Sequence, residues 1–262
     1  MNKTSFLTRL ADRLILQATT EYIDPGDREE KFIDTFDGQI QVWISRTESK
    51  HPNPSPLLIL KFPGTGGRAE RSWPHPAELW PEVSAEVWTL NHRGYGESSG
   101  PASLQNFSES CNAFWSAANQ QFPNHKVLVC GNSLGCISAL YLAARHSINA
   151  VYLRNPPALA QMIATRPRYA WPSLGLSRLV AAQIPKELDA VENAELTECP
   201  VLTAQSELDR VIPPKFQNLA IDQLRGPCRK LIIKGADHHE RASDSQKDEY
   251  HEAISWLGQF LH

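Results

Sequence analysis

From residue 57 onward, short apolar runs alternate with segments whose apolar side chains recur every three or four residues. The runs lie at 57–62, 86–90, 126–131, 150–154, 200–204 and 229–234. The clearest helical period spans 104–122, where Leu104, Phe107, Cys111, Phe114, Trp115, Ala118 and Phe122 share one face. Further helical stretches fall at 134–145, 214–224 and 247–260. Strands that are apolar throughout and separated by helices bury both faces only as a mostly parallel twisted sheet with helices on each side. The expectation is one α/β domain over residues 1–262.

Composition narrows the class. At 262 residues and 41% hydrophobic, the chain can bury a large core without a disulfide or metal staple. Lys plus Arg number 26 against 29 Asp plus Glu, a net charge of −3, so no basic field attracts nucleic acid. The five cysteines form no C-x-x-C pair and read as small buried hydrophobes in a reducing compartment, with no zinc site. The longest apolar run near the N-terminus, Leu14-Ile15-Leu16, is too short for a secretion signal, and no stretch reaches the ~18 apolar residues of a membrane span. These features predict a cytoplasmic protein.

Three regions lie outside the alternating pattern. Within an N-terminal segment, 1–25, residues 4–18 read as an amphipathic helix with Phe6, Leu7, Leu10, Leu14 and Ile15 on one face. That face either packs on the domain or lies on a membrane or partner; the polar face is not markedly basic, which favours packing. Residues 31–35 and 39–45 flank Phe36-Asp37-Gly38 as a hairpin. Residues 156–198 form a small cap-like insertion over the carboxyl edge of the sheet, broken by prolines, with helical stretches near 158–165 and 177–184.

The sharpest chemical signal is Gly131-Asn132-Ser133-Leu134-Gly135, a G-x-S-x-G pattern between a buried strand and an Ala-rich helix. A serine on a tight strand-to-helix turn projects its hydroxyl above the sheet, and the neighbours two residues away on each side must be small. A serine hydroxyl needs a base to become a nucleophile. His238 follows the last apolar run within Gly235-Ala236-Asp237-His238-His239, with His239 as the alternate. Asp209, after the 200–204 run, is placed to orient the base; Glu207 is its nearest competitor, and Asp209 could instead only cap the next helix. Asn155, at the end of the preceding run, is not an acid. Two N–H donors for an oxyanion are Leu134, next to the serine, and Thr65 in Phe62-Pro63-Gly64-Thr65-Gly66-Gly67, where Pro63 offers none. The same glycines also suit a plain turn.

The order Ser133, Asp209, His238 occurs in one fold among the convergent triads. Together with Asn91-His-Arg-Gly-Tyr-Gly-Glu-Ser-Ser-Gly100, Cys199-Pro-Val-Leu and Asp209-Arg-Val-Ile-Pro-Pro214, these segments resemble the α/β-hydrolase superfamily over residues ~57–260. Within it the chain is similar to the serine-aminopeptidase-like and acyl-protein-thioesterase-like branch. That resemblance implies a Ser-His-Asp triad and no cofactor. The chain departs from it at Pro63-Gly64, where members often carry His-Gly, and at Asn91-His92, where an Asp often leads the motif.

The expected activity is hydrolysis of an ester or thioester of a small or medium acyl group, through an acyl-enzyme. Tyr169 and Trp171 either line the acyl pocket or pack the insertion onto the sheet. An aminopeptidase or amidase using the same triad is the alternative, and a catalytically silent binding protein is a third reading. The expected partner is a small acyl substrate, with oligomeric state left open.

Overall fold

The structure, a computed structural model, describes residues 5–49, 51–52, 55–165 and 174–261. Helix α1 (Phe6–Ile15) leads into the hairpin β1 (Glu29–Thr35) and β2 (Gly38–Thr47), then β3 (Ser55–Phe62) and β4 (Val83–Asn91). Next come α2 (Phe107–Gln121), β5 (Lys126–Asn132), α3 (Gly135–Ala143) and β6 (Ala150–Arg154). The insertion carries α4 (Leu159–Thr165), α5 (Leu174–Ala181) and α6 (Ala190–Glu195), and β7 (Val201–Ser206), α7 (Pro214–Ile221), β8 (Cys228–Ile233) and α8 (Lys247–Gly258) complete the domain. One eight-stranded sheet runs β1-β2-β4-β3-β5-β6-β7-β8. Strands β3 to β8 are parallel to one another, and the β1–β2 hairpin joins antiparallel at one edge through β2 and β4.

Alternate side chains on each central strand point to opposite faces, so the sheet feeds two cores. Leu58, Leu60, Phe62, Val129 and Val151 belong to the core that contains Phe114, Ile137 and Leu140 of α2 and α3. Leu57, Ile59, Leu128, Ala150 and Leu202 belong to a second core with Ala253, Ile254 and Leu257 of α8. The two faces are not covered alike. Between β3 and β4, the described structure has only the 3₁₀ turns Ala69–Arg71 and Ala77–Leu79 where a crossover helix would ordinarily lie. The second turn leans on α8, with Trp80 Nε1 donating to the Ile254 carbonyl at 3.3 Å.

Three differences from the sequence reading have physical causes. The insertion holds a third helix, α6, whose six residues are too few to show a period; Asp189 starts it by accepting from the N–H groups of Val191 (2.8 Å) and Glu192 (3.2 Å). Cys228 is exposed and Cys199 half-buried, in contrast to buried Cys111, Cys130 and Cys136. Cys228 opens β8, the edge strand, where one side has no neighbour. His146, which just past the 134–145 helical stretch reads in sequence as a surface residue, is half-buried and stacks on Trp115 at 4.8 Å.

The N-terminal helix packs on the domain. Ala11, Ile15 and Leu16 are buried, Asp12 Oδ1 accepts from Leu104 N–H at 2.9 Å, and Thr8 Oγ1 donates to Gln183 Oε1 at 2.9 Å. Phe6 stays 73% exposed. Among the described residues no helix is long and apolar enough to cross a membrane.

His92, one of the departures noted above, is a core residue. It stacks on Phe107 with centroids 3.8 Å apart, faces Phe62 at 5.9 Å, and hydrogen-bonds Ser138 Oγ through Nε2 at 3.2 Å, while Nδ1 has no partner among the described residues. Burial alone pushes its pKa down from 6.5 to about 3. Between those values the unfolded chain holds a proton that the folded chain lacks, so His92 erodes stability as pH falls through that window and has no such effect above it. Replacing it in His92→Phe should therefore flatten the acid limb of stability by up to about 1.4 kcal/mol per pH unit. Urea unfolding of both proteins from neutral pH down to pH ~4.5 checks this; equal slopes would refute it.

Candidate active site

Ser133 sits at the turn between β5 and α3 with φ 52°, a left-handed conformation that costs a side-chain-bearing residue roughly 1–3 kcal/mol. Its surroundings hold it there. Ser133 N–H donates to the Arg154 carbonyl at 2.8 Å, and its own carbonyl accepts from Cys136 N–H at 2.9 Å. A β-carbon on Gly135 would lie 2.0 Å from the Phe62 carbonyl oxygen, and one on Gly131 would lie 2.5 Å from Cys136 Cα. Only glycine permits that approach of β3, β5 and α3. The N-terminal end of α3 therefore points its partial positive charge at the serine.

The other two predicted residues arrive on loops. His238 follows β8, and Asp209 follows β7. His238 Nε2 lies 3.0 Å from Ser133 Oγ, and Nδ1 lies 2.7 Å from Asp209 Oδ2. All three side chains are buried. A carboxylate only accepts, so Nδ1 carries the proton and Nε2 is left to accept from the serine hydroxyl. Asp209 divides its work between two oxygens. Oδ1 accepts from Val211 N–H (2.9 Å) and Ile212 N–H (2.7 Å), shaping the turn before α7, while Oδ2 meets the imidazole and accepts from Gln217 Nε2 at 3.1 Å. Asp209 does not cap α7, which begins after Pro213 with no side-chain cap; it closes the turn before the helix while also meeting the imidazole. His239 is exposed and meets His238 edge-on at 4.8 Å; Glu207 accepts instead from Gly235 N–H at 2.7 Å.

Two supporting residues were missed. Asn155, at φ 51° and fully buried, accepts from Ser206 N–H at 2.8 Å and donates to the His238 carbonyl at 3.1 Å. It ties the ends of β6 and β7 to the histidine loop. Its signal was faint: Asn is one of the few residues that tolerates left-handed backbone. Gln217 on α7 also donates to the Ile212 carbonyl at 2.7 Å, locking the turn that presents Asp209. Nothing at its position sets it apart from a surface glutamine.

The loop after β3 lies against the serine, since a β-carbon on Gly64 would be 3.2 Å from Ser133 Cβ. Thr65 is clamped from both sides: its hydroxyl donates to the Ile15 carbonyl, and its carbonyl accepts from Tyr95 Oη at 2.8 Å. Neither Thr65 N–H nor Leu134 N–H donates to an acceptor among the described residues. Tyr169 and Trp171 lie outside the described residues. Among those described, no three His, Cys, Asp or Glu side chains cluster as metal ligands.

A family model described as alpha/beta hydrolase fold matches residues 58–174. Alpha/beta hydrolase domain-containing protein 17B of Xenopus laevis is 25% identical over 165 residues, 62% of this chain and 53% of its own length. The chain thus spans about half the length of that relative. The Pyrococcus furiosus esterase Pf2001 superposes with a TM-score of 0.69 at 14% identity, over 95% of this chain and 100% of the esterase. The acylaminoacyl peptidase of Pyrococcus horikoshii gives 0.71 at 13%, over 90% of this chain and 41% of the peptidase. With this sheet order and these structural neighbours, the chain has the α/β-hydrolase fold.

Asn155→Ala would leave Ser206 N–H buried without its acceptor, which costs roughly 1–3 kcal/mol. The expected result is a destabilised protein whose amides around 206 and 238 exchange faster with deuterium. Unaltered exchange there would remove Asn155 from its supporting role.

Proposed function

We propose that the protein is a serine hydrolase acting on carboxylic esters or thioesters of small or medium acyl groups. The observation that carries this reading is the continuous hydrogen-bonded line from Ser133 Oγ through His238 to Asp209 Oδ2, at 3.0 Å and 2.7 Å. Ser133 Oγ attacks the carbonyl carbon as His238 Nε2 takes its proton. Asp209 holds the tautomer and stabilises the imidazolium. The carbonyl oxygen becomes an oxyanion facing the N–H groups of Thr65 and Leu134, a contribution of ~3 kcal/mol per donor. Collapse expels the alcohol or thiol, which receives the proton from His238. Water, activated by the same imidazole, then releases the acid and restores the serine.

The esterase and peptidase neighbours are compatible with either leaving group. Recognition of a free amine, as an aminopeptidase requires, calls for carboxylates beside the serine. Of the acidic residues in the insertion, Asp189 is occupied in capping α6. The cleft next to His238 carries more cations than acids, which supports ester or thioester substrates over amines. The chain retains serine, base and acid together, which favours catalysis over a silent binding role.

Ser133→Ala should abolish burst and turnover with a p-nitrophenyl ester. Asp209→Asn should leave the fold intact and lower kcat by on the order of 10⁴. Stopped-flow absorbance reads both. Turnover persisting in the serine variant at near wild-type rate would refute the proposal.

A further inference from the structure

The missing helix between β3 and β4 leaves the carboxyl half of one sheet face open. The strand positions that would be apolar beneath a helix are instead Lys61, Thr89, Asn132, Tyr152 and Arg154. They floor a cleft walled on one side by residues 71–79 and on the other by the histidine loop and α8. Gly64, Asn132 and His238 also line it, so it opens beside the candidate catalytic serine.

The charge in this cleft runs against the rest of the molecule. Lys61, Arg71, Arg154, Arg241 and Lys247 line it, with Glu78 and Asp244 as its acids, in a chain whose net charge is −3. A sixth cation, Arg68, is already engaged by Glu70. Glu78 accepts from His75 Nδ1 at 3.0 Å when that nitrogen is protonated. By contrast, none of the five cations has a carboxylate within 4.0 Å among the described residues. Three arginines elsewhere do: Arg46 pairs with Glu29 and Glu86, Arg225 with Glu195 and Arg229 with Glu252. Lys61 is held by two backbone carbonyls, those of Trp73 and His75, which fix the ammonium without neutralising it. Burial draws its pKa below the ordinary lysine range, and an anion in the cleft would oppose that shift.

The floor is also rigid. Tyr152 and Tyr250 share a hydrogen bond at 3.2 Å, and Tyr250 Oη bonds His75 Nε2 at 2.6 Å. At the rim, Trp73 leaves 65% of its surface exposed, a flat apolar face beside Arg71. Like-signed charges converging in a cleft focus potential and select ligands of opposite sign. A guanidinium fork matches carboxylate and phosphate oxygens.

We propose that this cleft is an anion-recognition subsite, and that the preferred substrates are acyl esters or thioesters bearing a phosphate or carboxylate held by Arg71, Arg154, Arg241, Lys247 and Lys61. The inference rests on the hydrolase reading for the reaction and on the cleft for the substrate class. Two matched pairs test it. Butyryl-coenzyme A against S-butyryl-N-acetylcysteamine places phosphates on the leaving group or removes them. Mono-p-nitrophenyl glutarate against p-nitrophenyl butyrate places a carboxylate on the acyl group or removes it. The charged member of at least one pair should be preferred by about 10-fold or more in kcat/KM, and that pair identifies the anion's source. The preference should shrink by about 10-fold in the double variant Arg71→Gln/Lys247→Gln, and in wild type as salt rises to about 0.5 M. The exposed single change Arg241→Gln is a parallel variant should the double one fail to fold. Preferences under about 2-fold for both pairs, or preferences that survive the substitutions, would overturn the subsite. Calorimetric titration of Ser133→Ala with coenzyme A and with glutarate separates the two readings. Anion binding that weakens in the cleft variants upholds the subsite even if no ester is cleaved. Absence of binding alongside rapid neutral-ester turnover removes the subsite and leaves the hydrolase.

Discussion

The close approach of Gly135 to the Phe62 carbonyl is the constraint on which the site depends. It brings the start of α3 against the end of β3, so the turn between β5 and α3 has no room to relax into an ordinary conformation. Ser133 is left at φ 52° with its side chain pointing off the sheet edge. The same contact brings the β3 loop beside the serine, which is why Gly64 borders it. One backbone packing contact therefore sets the positions of both the hydroxyl and the loop that faces it. The strain at the serine is offset by the buried strand and helix around it, whose side chains from Val127 to Leu142 are largely inaccessible to water.

The imidazole is placed differently, by polar ties rather than by packing. Its loop is anchored from below by Asn155 and from the side by Asp237, whose carboxylate accepts from His238 N–H at 2.8 Å and Arg210 N–H at 3.0 Å. The second of these bonds links the histidine loop to the loop carrying Asp209. The two loops are further joined by Gly235 N–H donating to Glu207 (2.7 Å) and Leu208 N–H donating to the Ala236 carbonyl (2.9 Å). In the proposed mechanism these fixed neighbours matter, because any reorganisation of the loop would add to the barrier.

Ser133, His238 and Asp209 were legible because each follows an apolar run, and the ends of parallel strands converge on one edge. Their order along the chain then left few alternatives. Asn155 and Gln217 were not legible because their work lies in hydrogen bonds across 51 and 8 residues, and sequence periodicity carries no such information. The cleft was hidden for another reason. Residues 63–82 contain Pro, Gly and charged side chains in a mixture that suits either a loop or a short helix, and only the three-dimensional arrangement shows that no helix covers the sheet there. Lys61 and Arg154 read in sequence as the polar ends of buried strands, a sign that the face is open which becomes clear only when both are seen on one floor.

The amphipathic N-terminal segment acquires its meaning from the same geometry. Its helix seats Ile15 in the core, and the Ile15 carbonyl accepts from the Thr65 hydroxyl. The chain beyond it continues along the loop: Arg68 donates to the carbonyls of Thr19 (2.8 Å) and Glu21 (3.0 Å), and Gly96 N–H donates to Thr19 at 3.0 Å. The loop after β3 is glycine-rich and lacks a following helix to hold it, so an outside brace is needed to keep its N–H groups oriented. The first turn of an ordinary crossover helix would supply that brace from within the βαβ unit. Here residues 15–21 supply it from the surface. The absence of that helix and the bracing by the N-terminal segment are thus two sides of one arrangement, which leaves the sheet face open while keeping the loop beside Ser133 fixed.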